Sequence, residues 1–207
     1  MNAPLRTRGE RRRDEILARA VDVASVEGLE GLTIGRLANE LAMSKSGVFA
    51  HFGSKEKLQF AAIDAAVGIF TQQVVAPAMD AEPGLPRVQV MLSAWLDYLA
   101  EPVFEGGCFF SATTAEFDGR GGPVRDRLVE LTRQWMSALA TELRLAQRLG
   151  EIVEQDTEQL LFELHAFLQE ANWAMQLLGD TEAHARARLA ISARLSDRSK
   201  GADDDDS

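Results

Sequence analysis

The side chains best suited to chemistry in this sequence are small, polar or basic, and they lie close together between residues 33 and 55. These residues are Thr33, Arg36, Ser44, Lys45, Ser46, Gly47, His51 and Lys55. Their hydroxyl, ammonium, guanidinium and imidazole groups can donate hydrogen bonds to phosphate oxygens and to the edges of bases. The residue types in this segment therefore favour recognition of a nucleic acid.

Catalytic and metal chemistry have much weaker support in the sequence. His51, His165 and His184 are far apart, and none has a second His or Cys at a metal-ligand spacing. Glu163 and His165 are two residues apart, so on a helix they point away from each other. The sequence contains no glycine-rich phosphate loop and no nucleophile motif. We expect no catalytic residue, no metal and no cofactor, and an all-α enzyme is the less favoured alternative.

Helices that could position the polar residues are indicated by apolar periodicity. Residues 12–28 carry apolar side chains at steps of three and four, and Gly28 is a natural stop. Residues 29–33 would form a short connection. Residues 1–11 are expected to be a loose basic arm. Five arginines in and next to this segment make it positive: Arg6, Arg8, Arg11, Arg12 and Arg13.

A helix, a tight turn and a second short helix are predicted next. Thr33 can cap a helix over residues 34–41, and residues 42–44 form the turn. Ser44 can cap the following helix over residues 45–50, and Ser54 caps a long helix that continues to about residue 75. The side chains that would hold the short helices on the core are Ile34, Leu37, Ala38, Leu41, Val48, Phe49 and Phe52. This pattern is that of a helix-turn-helix.

The same segment resembles the DNA-binding domain of the TetR family of transcriptional regulators. An Ile-x-x-Leu-Ala first helix leads to Ser-Lys-x-x-hydrophobic-aromatic-x-His-Phe, followed by Gly-Ser-Lys-Glu-x-Leu. The similarity covers about residues 12–60. Family members often carry Tyr where this chain has Phe49 and Ala50, so we interpret Phe49 as a core residue and not as a DNA contact.

Roles within the predicted site differ. Lys45 and Ser46, with Arg36 and Ser44 as further candidates, would read bases. Thr33 at a helix start, His51 and Lys55 would hold phosphates. Gly47 leaves the recognition helix without a side chain at that point.

The rest of the chain also has helical periodicity, without sustained alternation of period two. We expect an all-α fold of about nine helices with three parts. These parts are a helix-turn-helix domain with its basic arm over residues 1–57, a larger helical domain over 58–196 and an acidic tail over 197–207 that contains the run of four aspartates at 203–206.

The resemblance implies that the larger domain senses a ligand and dimerises. Candidate pocket residues are Trp95, Phe104, Phe109, Phe110, Trp135, Phe167, Glu170 and Trp173. Candidate dimer contacts on the last two helices are Leu161, Leu164, Leu168, Ala171, Met175, Ala185, Leu189 and Ser192. Two helices from each subunit would then form a four-helix bundle.

Charge and cysteine content fit this interpretation. The net charge is −10, yet residues 1–57 hold 10 Lys/Arg and 8 Asp/Glu, a local balance of +2. Such a distribution suits a protein that meets DNA with one end only. The chain has a single cysteine, Cys108, so it cannot form an internal disulfide, and this fits a protein of the reducing cytoplasm. Cys108 itself could be a buried thiol or a redox switch. The sequence contains no uninterrupted apolar stretch of about 18 residues, so we expect no membrane span.

The function expected from the sequence is that of a homodimeric repressor. It would bind a near-palindromic operator in double-stranded DNA and be released by an unidentified small apolar ligand. A helical binding or scaffold protein that has lost DNA affinity is the alternative, because Gly47, Phe49 and Ala50 depart from what a DNA-reading helix usually carries. An activator, or a regulator without a ligand, also fits the sequence.

Overall fold

The computed structural model of the chain describes residues 7–101 and 103–196, and this part contains helices and no strand. Arg6 of the expected arm and the aspartate run at 203–206 lie outside the described residues. The α-helices are α1 (Arg8–Gly31), α2 (Ile34–Glu40), α3 (Lys45–Phe52), α4 (Lys55–Phe70), α5 (Ala76–Met79), α6 (Leu85–Ala100), α7 (Phe109–Phe117), α8 (Pro123–Arg148), α9 (Thr157–Trp173) and α10 (Ala183–Ser196).

Two short π-helical segments extend these helices. Thr71–Val75 joins α4 to α5, so that Lys55–Met79 is one continuous helix, and Ala174–Leu178 extends α9. The described residues therefore form nine continuous helices, which confirms the expected all-α architecture.

The first helix begins earlier than the sequence suggested. Thr7 caps it in a capping box: its Oγ1 accepts a hydrogen bond from Glu10 N at 3.2 Å, and Glu10 Oε2 accepts one from Thr7 N at 2.7 Å. Residues 8–11, expected to be a loose arm, are thus the first turn of α1. The Thr-x-x-Glu signature that sets this start is local and was present in the sequence.

Gly28 interrupts α1, as expected of a helix stop, but the chain then makes a further helical turn to Gly31. The φ of Gly28 is 76°, in the left-handed region that glycine adopts at little cost. The break exposes the backbone N–H groups of Leu29 and Glu30, and the carboxylate of Glu116 accepts hydrogen bonds from both, at 2.7 and 2.9 Å. This carboxylate ties α7 to α1.

The contacts divide the chain into two compact units. Among the described residues, the first comprises residues 7–69 and 104–128, and the second comprises residues 70–101, 103 and 129–196. The chain passes between them at three points, within α4, between α6 and α7, and within α8. The sequence-based division at residue 57 differs from this partition, because α7 packs on α1 in the first unit.

The second unit is built around an aromatic cluster. The rings of Trp95 and Trp135 meet edge to face at 5.3 Å between centroids, and Phe70 meets Trp135 at 5.0 Å and Tyr98 at 5.5 Å. His165 on α9 lies 5.8 Å from Trp95. Edge-to-face pairs of this kind stabilise a core by about 0.5–1.5 kcal/mol each beyond the area they bury.

One helix of the described part, Lys55–Met79, is long and apolar enough by length and composition to cross a membrane, with a mean hydropathy of 1.3. Within the window tested, 39% of the residues are buried inside the protein. The core helices of soluble proteins meet the same two criteria, so this feature is weak evidence for a membrane span.

Candidate nucleic-acid interface

The helix-turn-helix is closed by local hydrogen bonds that the sequence predicted. Thr33 Oγ1 accepts from Arg36 N at 3.0 Å, and Ser44 Oγ accepts from Gly47 N at 3.1 Å. Both hydroxyls therefore cap helices as expected. The turn between the helices passes through Ala42, whose φ is 49°.

Buried side chains hold α3 against the rest of the first unit. Leu37 and Ala38 of α2 are 0% and 2% exposed, and Val48 and Phe52 of α3 are 0% and 6% exposed. Residues four apart lie on one side of a helix, so Val48 and Phe52 together fill the inner face of α3. The predicted anchoring by these four residues is confirmed.

Phe49, which we expected in the core, is instead 53% exposed. Successive helical residues are turned by about 100°, so the inward direction of Val48 points Phe49 away from the core. Ala50 is exposed as well. The outer face of α3 therefore presents Phe49 and Ala50 together with Lys45 and Ser46, which are also exposed.

The side chain of Lys45 lies close to the start of α2, and that of Ser46 lies close to Ser44. A Cβ placed on Gly35 would lie 3.4 Å from Lys45 Cε and 3.7 Å from its Nζ, so the lysine side chain runs along α2. Thr33 Oγ1 is 4.0 Å from that same point. The hydroxyl oxygens of Ser44 and Ser46 are 3.1 Å apart. The structure thus brings the Thr33 hydroxyl and the Lys45 ammonium to the same end of α2.

Gly47 contributes through the space it leaves. A Cβ at this position would lie 3.1 Å from Ser44 Oγ and 3.6 Å from Met43 Cε. A side chain would crowd the hydroxyl that caps α3. This geometry explains why a residue without a side chain suits position 47.

Arg36, by contrast, is occupied by two carboxylates. Its Nη2 lies 2.7 Å from Glu27 Oε1, and its Nη1 pairs with Glu40. The hydrogen bonds that Arg36 donates, to Glu27 above all and then to Glu40, raise the pKa of Arg36 above its ordinary value. Hydrogen bonds from Arg36 and from Arg19 lower the pKa of Glu40. A role for Arg36 in reading bases would require it to leave both partners.

Lys55 and His51 lie at the opposite end of α3. Lys55 Nζ donates to the backbone oxygen of Glu30 at 2.8 Å and to its carboxylate at 2.9 Å, and this pairing lowers the pKa of Glu30. His51 is half-buried, with its ring 6.2 Å from that of Phe52. The guanidinium of Arg13 on α1 lies over the same Phe52 ring at 5.3 Å. An ammonium has three donors, so Lys55 retains one beyond its two contacts with Glu30.

The residues expected to line a ligand pocket do not form one group. Phe104, Phe109 and Phe110 belong to the first unit, where Phe109 is fully buried between the other two rings, at 6.4 and 5.3 Å. Trp95 and Trp135 belong to the aromatic cluster of the second unit. On α9, Phe167 is half-buried, whereas Glu170 and Trp173 are exposed. Aromatic content in the sequence predicted buried rings without showing which rings pack together.

A cavity of about 380 Å³ lies in the second unit and involves none of the residues expected in the pocket. Its lining includes Gln73, Ser93, Asp97, Tyr98 and Glu101. Arg188 of α10 donates to Ser93 Oγ at 2.6 Å and to Asp97 at 2.7 Å. The sequence signal for this site is weak: adjacent glutamines, including Gln73, interrupt the apolar helix Lys55–Met79.

Two polar groups in the nearby aromatic cluster are left without a partner. The indole Nε1 atoms of Trp95 and Trp135 are buried and have no hydrogen-bond partner among the described residues. A buried indole N–H usually finds an acceptor. The cluster can therefore donate hydrogen bonds to an added acceptor.

The apolar stripe expected at a dimer interface lies inside the chain. Leu161, Leu164, Leu168 and Ala171 are 5% exposed or less, because this side of α9 packs against α10 and α6. Met175 is half-buried, whereas Ala185, Leu189 and Ser192 are exposed. A stripe of leucines predicts a buried face but does not distinguish burial within a subunit from burial between two.

One exposed apolar residue on these helices, Phe162, was missed, whereas Leu189 was expected at the dimer interface and Trp173 in the ligand pocket. Phe162 is 68% exposed and Trp173 49% exposed on α9, and Leu189 on α10 is 72% exposed. Phe162 and Trp173 are 11 residues apart, which is about three turns and so the same side of α9. The sequence signal was a second, sparser apolar stripe on α9.

The single cysteine is buried, and the described residues contain no metal-binding cluster. Cys108 is 2% exposed, which fits a buried thiol. Within residues 7–101 and 103–196, no group of three or more His, Cys, Asp or Glu side chains is arranged to hold a metal ion.

Two family models match the sequence. The model described as "Bacterial regulatory proteins, tetR family" matches residues 16–62, which include the helix-turn-helix. The model described as "Tetracyclin repressor-like, C-terminal domain" matches residues 84–191, which is more than half of the chain. Comparison with curated proteins gave no match.

Solved structures share the fold. A TetR transcriptional regulator from Chloroflexus aurantiacus has a TM-score of 0.80 and 23% identity, over 89% of this chain and 94% of its own. A TetR-family regulator from Cytophaga hutchinsonii has a TM-score of 0.77 and 19% identity, over 93% and 96%. A third structure, AibR in complex with isovaleryl coenzyme A and operator DNA, has a TM-score of 0.72 and 18% identity, over 89% and 97%. Together with the two domain matches, the fold and the helix-turn-helix show that this chain belongs to the TetR family of bacterial transcriptional regulators.

Proposed function

We propose that the protein is a homodimeric repressor that binds a near-palindromic operator through α3 and is released by a small apolar ligand. The observation that carries this proposal is the outer face of α3. A short helix, capped by Ser44 and anchored by Val48 and Phe52, presents exposed Lys45, Ser46 and Phe49. A helix with these features is suited to the major groove.

The polar residues of the motif divide between bases and backbone. Lys45 and Ser46 are proposed to read base edges, because both are exposed at the start of α3, and Ser44 lies beside Ser46. Thr33, His51 and Lys55 are proposed to hold phosphates on the two sides of α3. Arg36 is not proposed to read bases, because its guanidinium already binds Glu27 and Glu40.

A dimer is proposed to form through the outward faces of α9 and α10. Phe162, Trp173 and Leu189 provide exposed apolar side chains there, and Ala185 and Ser192 are small exposed residues beside Leu189. Large apolar residues gathered on a surface commonly mark a protein interface. A two-fold dimer would place two recognition helices about one turn of DNA apart, ~34–36 Å, and so read a near-palindrome.

The second unit is proposed to bind the ligand, in the cytoplasm. The cavity of about 380 Å³ is within the range of small-molecule sites. Trp95 and Trp135 are not among its lining residues, and their buried indole N–H groups form a second candidate site, in the aromatic cluster, for an acceptor on an otherwise apolar molecule. The relative solved with isovaleryl coenzyme A and operator DNA supports the idea of one protein that binds both. The ligand would favour one of two dimer states and thereby change DNA affinity.

The DNA-binding part of the proposal is tested by selecting bound fragments from random DNA at a defined salt concentration. We expect a motif with two inverted half-sites. Lys45→Ala should alter or weaken that motif, whereas the control Arg148→Ala, an exposed basic residue at the end of α8, should not. Selection of no motif by the wild-type protein would refute the proposed function.

The ligand part has a separate test. A ligand that binds the folded state raises the melting temperature, so a thermal-shift screen of small molecules should identify compounds that also release the selected DNA. Trp95→Phe keeps an aromatic ring and removes one indole N–H. This variant should respond less to compounds that carry a carbonyl or carboxylate acceptor, and an unchanged response would exclude Trp95 from the site.

A further inference from the structure

Phe49 is an unusual residue for the outer face of α3. Nine large apolar side chains of the described residues are substantially exposed, and Phe49 is the one among them that lies in the helix-turn-helix. The others are Val26, Met79, Leu149, Phe162, Trp173, Leu177, Leu178 and Leu189. An exposed phenyl ring at this position suggests that something apolar covers it when the protein is bound to its partner.

The core does not require this ring. Val48 and Phe52 already fill the inner face of α3 at 0% and 6% exposure, and Phe49 points about 100° away from Val48. Lys45 lies four residues before Phe49, and Ser46 lies three residues before it, so both are its neighbours on the helix surface. Phe49 therefore continues the surface that the proposed function assigns to base reading.

The chemistry of the major groove offers one apolar partner. Base edges there present hydrogen-bond donors and acceptors, with one exception, the 5-methyl group of thymine. A phenyl side chain has no hydrogen-bonding group for a phosphate oxygen or a polar base edge, but it can cover a methyl group.

We propose that Phe49 reads the methyl group of a thymine in each operator half-site, next to the base pair contacted by Lys45 or Ser46. This inference rests on the proposed function, because it requires α3 to enter the major groove. It adds a specificity-determining residue that selects an A·T pair at one position through an apolar contact.

The test uses the operator obtained by selection, with each thymine of a half-site replaced in turn by deoxyuridine. Deoxyuridine lacks only the 5-methyl group and keeps every hydrogen-bonding edge of thymine. Binding should weaken at one position per half-site by about four-fold, the effect of removing one buried methyl group. The other replacements should have little effect.

Variants at residue 49 connect the effect to Phe49. Phe49→Ala should weaken binding to the thymine operator and abolish its preference over the deoxyuridine operator, whereas Phe49→Leu should retain part of that preference. Leu149→Ala, at another exposed apolar residue, should leave the preference unchanged. Because the Phe49 ring is exposed, the melting temperature should remain close to that of the wild type, which would show that the variant is folded.

Three results would overturn the inference. Equal binding of thymine and deoxyuridine operators by the wild type would show that the methyl group is not read. A uniform loss with Phe49→Ala on all sequences, with the thymine preference intact, would assign Phe49 to the sugar-phosphate backbone. If the wild type selects no DNA motif, the proposed function fails as well, and this outcome is distinct from the first two.

Discussion

Gly106 packs against Ser25 so closely that no side chain fits between them. A Cβ on Gly106 would lie 2.1 Å from the backbone oxygen of Ser25. The Gly106 N–H donates to Ser25 Oγ at 3.0 Å, and the Ser25 hydroxyl donates to the backbone oxygen of Asp22 at 2.7 Å. This contact, with the Glu116 carboxylate, makes the segment around α7 part of the first unit.

Gly106→Ala should therefore destabilise the first unit. The clash is with backbone atoms, which cannot turn aside as a flexible side chain can, and we expect a loss of at least about 1–3 kcal/mol in the free energy of unfolding. Urea denaturation measures this loss. Gly119→Ala is the matched control, since a Cβ there has no neighbour within 4 Å. Equal stability of the two variants would contradict the described packing.

The two lysines of the motif should affect DNA binding in different ways. Lys45→Ala should change the base preference, because the side chain belongs to the proposed reading surface. Lys55→Ala should weaken all sites alike and reduce the slope of log affinity against log salt by about 1, as expected for the loss of one phosphate contact. Binding titrations on the selected and altered sites at several salt concentrations separate these effects. The reverse pattern would refute the division of roles.

The proposed dimer should depend on Leu189. Its side chain is 72% exposed on α10, so Leu189→Glu should fold normally as a subunit while placing a charge in an apolar interface. Sedimentation velocity should give a dimer of 22.7 kDa chains for the wild type and a monomer for the variant. Leu149→Glu, at a residue 59% exposed, should remain dimeric. A dimeric Leu189→Glu variant would place the interface elsewhere.

Stability should fall as the pH drops below about 6.5, because of His165. Burial lowers the pKa of this imidazole from 6.5, so the unfolded chain binds a proton more readily than the folded chain does. The stabilisation from the neutral form is present above pH 6.5 and is lost as the pH falls towards the lowered pKa. Burial, with the nearby charge of Arg188, lowers the pKa of His184 in the same direction.

His165→Gln should reduce the dependence of the unfolding free energy on pH below about 6.5. The slope, and not the absolute stability, is the measured quantity, because the substitution can also change packing beside Trp95. Chemical denaturation at several pH values gives both. An identical slope in the variant would show that His165 does not titrate differently in the folded and unfolded states.

Local features of the structure were predictable from the sequence, because their hydrogen bonds join residues three positions apart. Thr33, Ser44 and Ser54 each cap a helix as expected, with Ser54 Oγ accepting from Lys57 N at 3.1 Å. The family resemblance rests on the same caps, on the turn and on the segment that begins at Phe52 and leads into α4. Fold class and DNA-binding function were therefore accessible without coordinates.

Features that depend on which face of a helix is covered were not predictable. In an eight-residue helix with adjacent Val48 and Phe49, apolar character alone does not show which side chain points inward. The same ambiguity assigned Leu164 to a dimer face. Phe109 belongs to the first unit and Trp95 to the second. Which distant aromatic residues pack together depends on long-range contacts that composition does not show.

The central claim is that this protein distinguishes one DNA sequence from others. It is tested most directly by measuring the affinity of the wild-type protein for its selected site and for a scrambled site of equal length and composition, at physiological salt. We expect the selected site to bind about a thousand-fold more tightly or better, as specific regulators do. Equal affinity for the two sites would show that binding is only electrostatic and would contradict the account.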